Sequence, residues 1–379
     1  MLINKSKIIY TIAKNVVYLH SVRNAIFVAN QLHTMQIGRN YNVGFDSEWD
    51  LGALRAALKG VRRAVLVAHT NADGDAVGAV TGMAALLTQA GIAEVTPLLP
   101  DGVPDDLDWL PGADRILGGR TDGDACRQAI AEADLIVGLD ISSFSRTGTL
   151  EEALRAAKAR KILVDHHINP EREAFDVVVS EPEVSSTCEL VYWLMHELYG
   201  DAIFTHEAAT SLYTGLCTDT GTFSFSNDRT SLYLAAADLL AFGIDPMAIN
   251  RSIKNVFTEA RLHFFGFAIA HRLTVYANRQ VALMVLTAND MREGGVESHE
   301  LTGLINEVMK LKAIDCGILV REEEGKVRLS LRSKAHYDVN QLASELFGGG
   351  GHKRAAGATS TVNLQETVRI VKQKLNLED

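Results

Sequence analysis

From Leu54 onward, apolar stretches of strand length alternate with stretches whose apolar residues recur at helical spacing. The run AVLVAHT, 64–70, closes on a polar pair and predicts a strand. The following DAVGAVTGMAALLTQAG, 75–91, carries small and apolar residues at helical intervals and stops at Gly91. VTPLLP (95–100) and ADLIVGLDIS (133–142) predict two more strands, the second preceded by the helical DACRQAIAEA. TLEEALRAAKARKILVDHH predicts a helix running into a strand, and SSTCELVYWLMHEL and HEAATSLYTGLCTDTGTF predict further helices. Strands separated by helices imply an α/β domain with a parallel sheet covered on both faces. Ligands of such sheets bind at the carboxyl ends of the strands.

The texture then changes. Residues 231–267 predict a continuous helical stretch interrupted near Gly243–Pro246. HRLTVYANRQVALMVLT predicts a hairpin with an Asn-centred turn, and CGILVREEEGKVRLSLRSK predicts another turning at Glu324-Gly325. They flank a predicted helix, HELTGLINEVMKLK. The expected organisation is an N-terminal extension (1–45), an α/β domain (46–243), a helical linker (244–268) and a smaller α+β domain (269–379). No internal repeat or low-complexity tract is present.

Charge is distributed unevenly. Residues 1–40 hold five Lys/Arg and no Asp/Glu, 41–267 hold 17 against 33, and 268–379 hold 15 against 14. An acidic middle is a poor surface for long nucleic acid, whose affinity comes from neutralised phosphates. A phosphate substrate would therefore be short, or met through bound cations. The first 34 residues are mildly basic and apolar, too interrupted for a membrane span and without a secretory cleavage pattern. They read as a surface amphipathic helix or as an addition upstream of a natural start at Met35. Cys126, Cys188, Cys217 and Cys316 lack CxxC spacing, which fits a reducing cytoplasm.

Polar residues gather at four predicted element ends. HTNADGDAVG places His69, Asp73 and Asp75 within seven residues. One imidazole and two carboxylates can hold a cation or divide between two, and oxygen-rich ligation favours an ion such as Mn²⁺. Asp73 and Asp75 equally suit helix caps. Asp140 follows an apolar strand, Asp165-His166-His167 follow another, and Asp219 follows an apolar helical run. Five carboxylates so close would repel unless cations neutralise them, and with three histidines they point to two metal ions. In SSTCEL, Ser186 reads as a helix N-cap with Glu189 three residues on. Arg146 is open between a substrate phosphate and a surface carboxylate. The run FGGGGHKRAAG, 347–357, allows an open backbone turn with several N–H groups unobstructed by side chains, beside three cationic residues and with Arg332 an element earlier.

His69-x-x-x-Asp73-x-Asp75, Asp140, Asp165-His166-His167 and Asp219 resemble, in order, the four motifs of the DHH phosphoesterases. LRSK and FGGGGHKRAAG resemble the substrate-binding end of a DHHA1 domain. Size and domain pairing are most similar to the bifunctional oligoribonuclease (nanoRNase)/pAp phosphatase group. The resemblance implies two Mn²⁺ ions, one held by His69, Asp73 and Asp140, the other by Asp75, Asp140, His166 and Asp219. It implies that they share a hydroxide aimed at phosphorus. Asp165 would orient an imidazole, and His167 would face the substrate as hydrogen-bond donor or general acid. Arg332 and His352, with Ser333, Gly349, Gly350, Gly351 and Lys353, would hold the distal phosphate or nucleoside, in a cleft between the domains.

The expected function is hydrolysis of very short oligoribonucleotides and of 3′-phosphoadenosine 5′-phosphate (pAp) by a cytoplasmic enzyme without stable membrane association. Whether it forms a homodimer is open. Linear pApA or a cyclic dinucleotide is the alternative substrate; a single-strand exonuclease, a pyrophosphatase or a non-catalytic nucleotide sensor fits less well.

Overall fold

The computed structural model describes residues 49–224, 229–255, 257–323 and 325–377. The N-terminal extension and its proposed start at Met35 lie outside the described residues. Among those described, no helix is long and apolar enough to cross a membrane. The chain divides into two compact units between Lys254 and Asn255.

The first unit holds α1 (Leu51–Leu58), β1 (Arg63–Val67), α2 (Gly74–Gln89), β2 (Glu94–Leu99), β3 (Leu117–Gly118), α3 (Gly123–Glu132) and β4 (Leu135–Leu139). It continues with α4 (Glu151–Ala156), β5 (Arg160–Asp165), β6 (Val177–Ser180), α5 (Thr187–Tyr199), α6 (His206–Asp219), α7 (Thr230–Leu240) and α8 (Pro246–Lys254). The strands form one sheet in the order β3-β2-β1-β4-β5-β6, and every pairing is parallel. Its strands read as unbroken apolar runs because both faces are covered. Ala64, Leu66, Val137 and Val164 pack with α2, α5 and α6. Val65, Val67, Ile136 and Leu163 pack with α3 and α4 on the other face. Strand order reverses between β1 and β4, which opens a crevice at their carboxyl ends.

The small residues of α2 let it lie against α6. A Cβ on Gly78 would come within 2.5 Å of the Ser211 carbonyl oxygen. Only glycine permits that approach.

The second unit holds α9 (Glu259–His271), β7 (Leu273–Tyr276), β8 (Val281–Leu286), α10 (Ala288–Gly294), α11 (Leu304–Val308), β9 (Cys316–Glu323) and β10 (Lys326–Ser333). It ends with α12 (Val339–Phe347), β11 (Gly350–His352), β12 (Ala355–Ser360) and α13 (Leu364–Leu375). Its sheet runs β11-β12-β10-β9-β8-β7. All pairings are antiparallel except β8 with β9. Val281 and Leu283 face α12 and α13, whereas Ala282 and Met284 face α9, α10 and α11. Both predicted hairpins form, the first turning through Ala277–Arg279 and the second at Gly325.

Three expectations change. The stretch 231–267 is three helices, not one interrupted once. The first break lies between Leu240 and Pro246 and contains Gly243 at φ 79°; Asp245 Oδ1 accepts from Met247 and Ala248 N–H to start α8 with Pro246 in its first turn. The second break precedes Thr258, whose hydroxyl caps α9 by accepting from Arg261 N–H. The helix expected over HELTGLINEVMKLK is split at Gly303, whose φ of 89° starts α11 afresh. The glycine run is not an open turn. Gly348 ends α12 with φ 64°, and Gly350–His352 form an edge strand paired with β12. A side chain at Gly349 would strike the Gly357 carbonyl, so tight strand packing selects glycine there.

Candidate metal centre

The carboxyl ends of β1, β4 and β5 deliver His69, Asp140 and the Asp165-His166-His167 triplet to one place. The amino end of α2 adds Asp73 and Asp75, and the last residue of α6 is Asp219. All eight expected residues of this unit converge. Asp73 is also the N-cap of α2: its Oδ1 accepts from Asp75 N–H (3.1 Å) and Ala76 N–H (3.0 Å). Capping and cation binding are compatible because a carboxylate has two oxygens.

Donor atoms of His69, Asp73 and Asp140 lie within 4.8 Å of one another, as do those of Asp75, Asp140 and His166. Asp140 belongs to both sets. Its backbone is left-handed, φ 60°, a costly conformation for a non-glycine residue of the kind found at functional sites. Two bonds hold it there: its N–H donates to the Val164 carbonyl (3.1 Å), and its carbonyl accepts from Arg146 Nη1 (3.2 Å).

Each imidazole has a defined direction. His69 Nδ1 lies 2.8 Å from the Thr70 carbonyl oxygen and donates to it, which turns Nε2 to Asp140 Oδ2 at 3.2 Å. His166 Nε2 faces Asp219 Oδ2 (3.3 Å), Asp140 Oδ1 (3.5 Å) and Asp75 Oδ2 (3.9 Å). His167 turns Nδ1 to Asp165 Oδ1 (2.9 Å) and Asp140 Oδ1 (3.3 Å), while its Nε2 lies 3.3 Å from Arg146 Nη1. The adjacent rings therefore face different carboxylates, Asp219 and Asp75 against Asp165, and share Asp140.

Electrostatics show an excess of negative charge. Burial and the Asp140 charge push Asp75 up to about 7. Burial, together with Asp75, Asp73 and Asp140, pushes Asp219 well above the carboxylate range. Burial also opposes ionisation of Asp140, but His167 and His69 outweigh it and hold that carboxyl well below its usual value. Burial opposes protonation of His69 and His167. Asp140 overcomes it at His69, and Asp140 with Asp165 lifts His167 to about 10. Asp165 Oδ2 is buried without a hydrogen-bond partner among the described residues. Divalent cations fit this donor set: oxygen-rich, histidine-supplemented, and short of positive charge.

Sequence reasoning left Arg146 open and did not assign Thr187 or Cys188. Arg146 braces Asp140 and adjoins His167 instead of pairing with a surface carboxylate. Ser186 does cap α5, accepting from Glu189 N–H at 3.1 Å, while Glu189 Oε2 reaches Ser185. The amides behind that cap go to the Asp75 carboxylate: Thr187 N–H reaches Oδ2 (2.7 Å) and Cys188 N–H reaches Oδ1 (2.9 Å). A start signal for α5 was visible in SSTCEL, but not a partner in another helix.

In the second unit, Arg332 near the end of β10 is opposite Ala355 of β12, which also pairs with His352. Its guanidinium donates to the Leu331 carbonyl (2.9 Å) and has no carboxylate partner among the described residues. Burial pulls its pKa down. Ser333 is engaged, its hydroxyl donating to the Tyr337 carbonyl at 2.7 Å. Arg354 is a brace, donating to the carbonyls of Ala335 and Tyr337. Lys353 and His352 are exposed on and beside the edge strand.

Residues 63–216 match the DHH family, N-terminal domain, and residues 278–377 match the DHHA1 domain. A bifunctional oligoribonuclease and PAP phosphatase, NrnA, of Thermus thermophilus is 27% identical over 322 residues, 80% of this chain and 86% of that one. A cyclic-di-AMP phosphodiesterase, GdpP, of Geobacillus thermodenitrificans is 25% identical, covering 86% of this chain and 49% of that protein. The crystal structure of an exopolyphosphatase-related protein from Bacteroides fragilis aligns with a TM-score of 0.82 and 31% identity, covering 86% of this chain and 95% of that one.

Proposed function

This chain belongs to the DHH family and is a hydrolase acting on phosphate esters; we propose that it degrades very short oligoribonucleotides and dephosphorylates pAp, using two Mn²⁺ ions. The observation that carries the reading is Asp140, shared between the His69/Asp73 and Asp75/His166 donor sets. His69, Asp73 and Asp140 would hold one ion, and Asp75, Asp140, His166 and Asp219 the other. When bound, such a pair supplies an activated water and neutralises charge on phosphoryl oxygens.

The chain's own residues do the rest. Asp165 fixes the His167 ring through Nδ1 (2.9 Å), so that Nε2 is presented on the side of Arg146 Nη1, 3.3 Å away. An anionic oxygen placed beside this pair of nitrogens, within hydrogen-bond distance of each, accepts from both. His167 is thereby positioned to hand a proton to the leaving oxygen, and Arg146 to hold a phosphoryl oxygen. Arg332, with the Gly349–Gly351 backbone, His352 and Lys353, binds the distal phosphate or nucleoside. A partly desolvated guanidinium with no carboxylate partner among the described residues suits an anion better than a neutral ring.

The second reading, hydrolysis of a cyclic dinucleotide or linear pApA, is favoured by the similarity to the Geobacillus phosphodiesterase. One assay separates the two. Purified protein with Mn²⁺ is offered pAp, pApA, cyclic di-AMP, dinucleotides to pentanucleotides and pyrophosphate side by side. Release of mononucleotides from dinucleotides, and of phosphate from pAp, is expected. No turnover of either, with an active control enzyme present, overturns the proposal; turnover of only pApA or cyclic di-AMP transfers it to the second reading.

A further inference from the structure

The threonines inside the helices of the first unit spend their hydroxyls on their own helix. Thr81, Thr88, Thr210 and Thr214 each donate to the carbonyl four residues back, all at 2.8 Å. Thr187 is different because it is the first residue of α5, with no helical carbonyl four residues behind it. Its hydroxyl instead donates to Asp140 Oδ1 at 3.1 Å, while its backbone N–H donates to Asp75 Oδ2 at 2.7 Å. A single residue thus holds one carboxylate from each of two elements, with Cys188 N–H taking the other oxygen of Asp75 at 2.9 Å. Thr187 and Asp75 are wholly buried and Asp140 is 2% exposed, so no solvent competes for these bonds.

We infer that Thr187 is a positioning residue that sets the spacing of the shared carboxylate Asp140 against Asp75, and so the affinity of the centre for its second cation. The inference rests on the metal reading proposed above. Three physical features support it. The positive end of a 13-residue helix faces the carboxylates. Two backbone amides clamp Asp75 and fix the plane of its carboxyl group, leaving each oxygen a lone pair for a cation. The hydroxyl, with one proton to give, selects one rotamer of Asp140, the residue on which both donor sets depend. Groups that orient metal ligands in this way typically change affinity 10–100-fold when removed.

Three substitutions separate the hydroxyl from the methyl group of Thr187. Thr187→Ser keeps the hydroxyl, Thr187→Val keeps the methyl, and Thr187→Ala keeps neither. Mn²⁺ binding to the full chain, followed by electron paramagnetic resonance of free Mn²⁺, is read without substrate. Thermal melting of each metal-free variant is measured alongside. The expected order is wild type and Ser together, with Val and Ala weaker by about 10–100-fold for the second ion. Melting should not follow that order. If Val binds as the wild type does while Ser and Ala lose affinity, the role is packing and the inference is overturned. Equal affinity in all four proteins overturns it too. Should Val fail to fold, Ser against Ala still isolates the hydroxyl. Because the readout is binding, a wild type that binds two Mn²⁺ yet hydrolyses nothing sinks the proposed function and leaves this inference standing. A wild type with no saturable Mn²⁺ binding removes both.

Discussion

Replacing His166 and His167 by alanine, one at a time, probes whether two adjacent imidazoles do separate work. His166 Nε2 sits between Asp219, Asp140 and Asp75, at 3.3, 3.5 and 3.9 Å. Removing it takes the only imidazole from a donor set whose other members are three carboxylates. Groups one contact further from a metal already cost 10–100-fold in affinity, so His166→Ala should weaken Mn²⁺ binding by about 100-fold or more. His167 is bound to Asp165 at 2.9 Å and touches Asp140 at 3.3 Å. Its removal costs Asp140 one contact of four, because His69, His166 and Thr187 remain. Mn²⁺ affinity should therefore fall by less than about 10-fold, below the full range for orienting groups. The chemistry should suffer more: loss of a positioned proton donor typically costs 10²–10⁴ in rate, about 3–5 kcal/mol of barrier. The assay is Mn²⁺ titration followed by turnover at saturating Mn²⁺, on both variants. Equal loss of Mn²⁺ affinity in the two, or an unchanged kcat for His167→Ala at saturation, would refute the division.

Three further outcomes follow from particular contacts. Arg332→Ala should raise KM for pAp by about 10–100-fold, the cost of charge-assisted bonds, and leave Mn²⁺ affinity unchanged; a change in Mn²⁺ affinity would point to a structural role. Gly215→Ala would drive a methyl into Cys188 and to within 2.7 Å of Asp75 Oδ1, so urea unfolding of the metal-free protein should show about 1–3 kcal/mol lost. In the second unit, Arg272 grips Asp290 with bonds of 2.9 and 2.7 Å and holds its carboxyl down at about 2, against an ordinary 3.8. That stabilisation, on the order of 2 kcal/mol at most because Arg272 is partly exposed, is complete above the ordinary value and lost as pH falls toward 2. Asp290→Asn should therefore flatten the acid limb of the melting temperature between pH 5 and 2; parallel limbs would show that the pair contributes nothing.

Much of this was legible because periodicity and motif spacing are local. Unbroken apolar runs with polar ends predicted a parallel sheet, and the polar ends predicted where chemistry gathers. His69, Asp73 and Asp75 lie so close along the chain that almost any fold brings them together. Helix ends were legible only where a cap was obvious: Ser186 announced α5, but Thr258 and Gly303 broke stretches whose apolar spacing ran on unbroken. The glycine run misled for a related reason. Glycine serves an open turn and a closely paired strand equally well, and the choice depends on Gly357 across the hairpin.

By itself, the sequence determined the α/β class, the family, and the set of carboxylates and imidazoles that had to meet or repel one another. Those follow from residue type and short-range spacing, which any fold must respect. What each member does was decided only in three dimensions. The β-strand ends aim His166 at three carboxylates and His167 at Asp165, and Asp140 reaches both donor sets from a left-handed backbone. A more distant decision is the meeting of Asp75 with Thr187, 112 residues along the chain. No local pattern encodes it. It arises because the amino ends of α2 and α5 pack side by side at the mouth of the sheet, and buried amides must find an acceptor there.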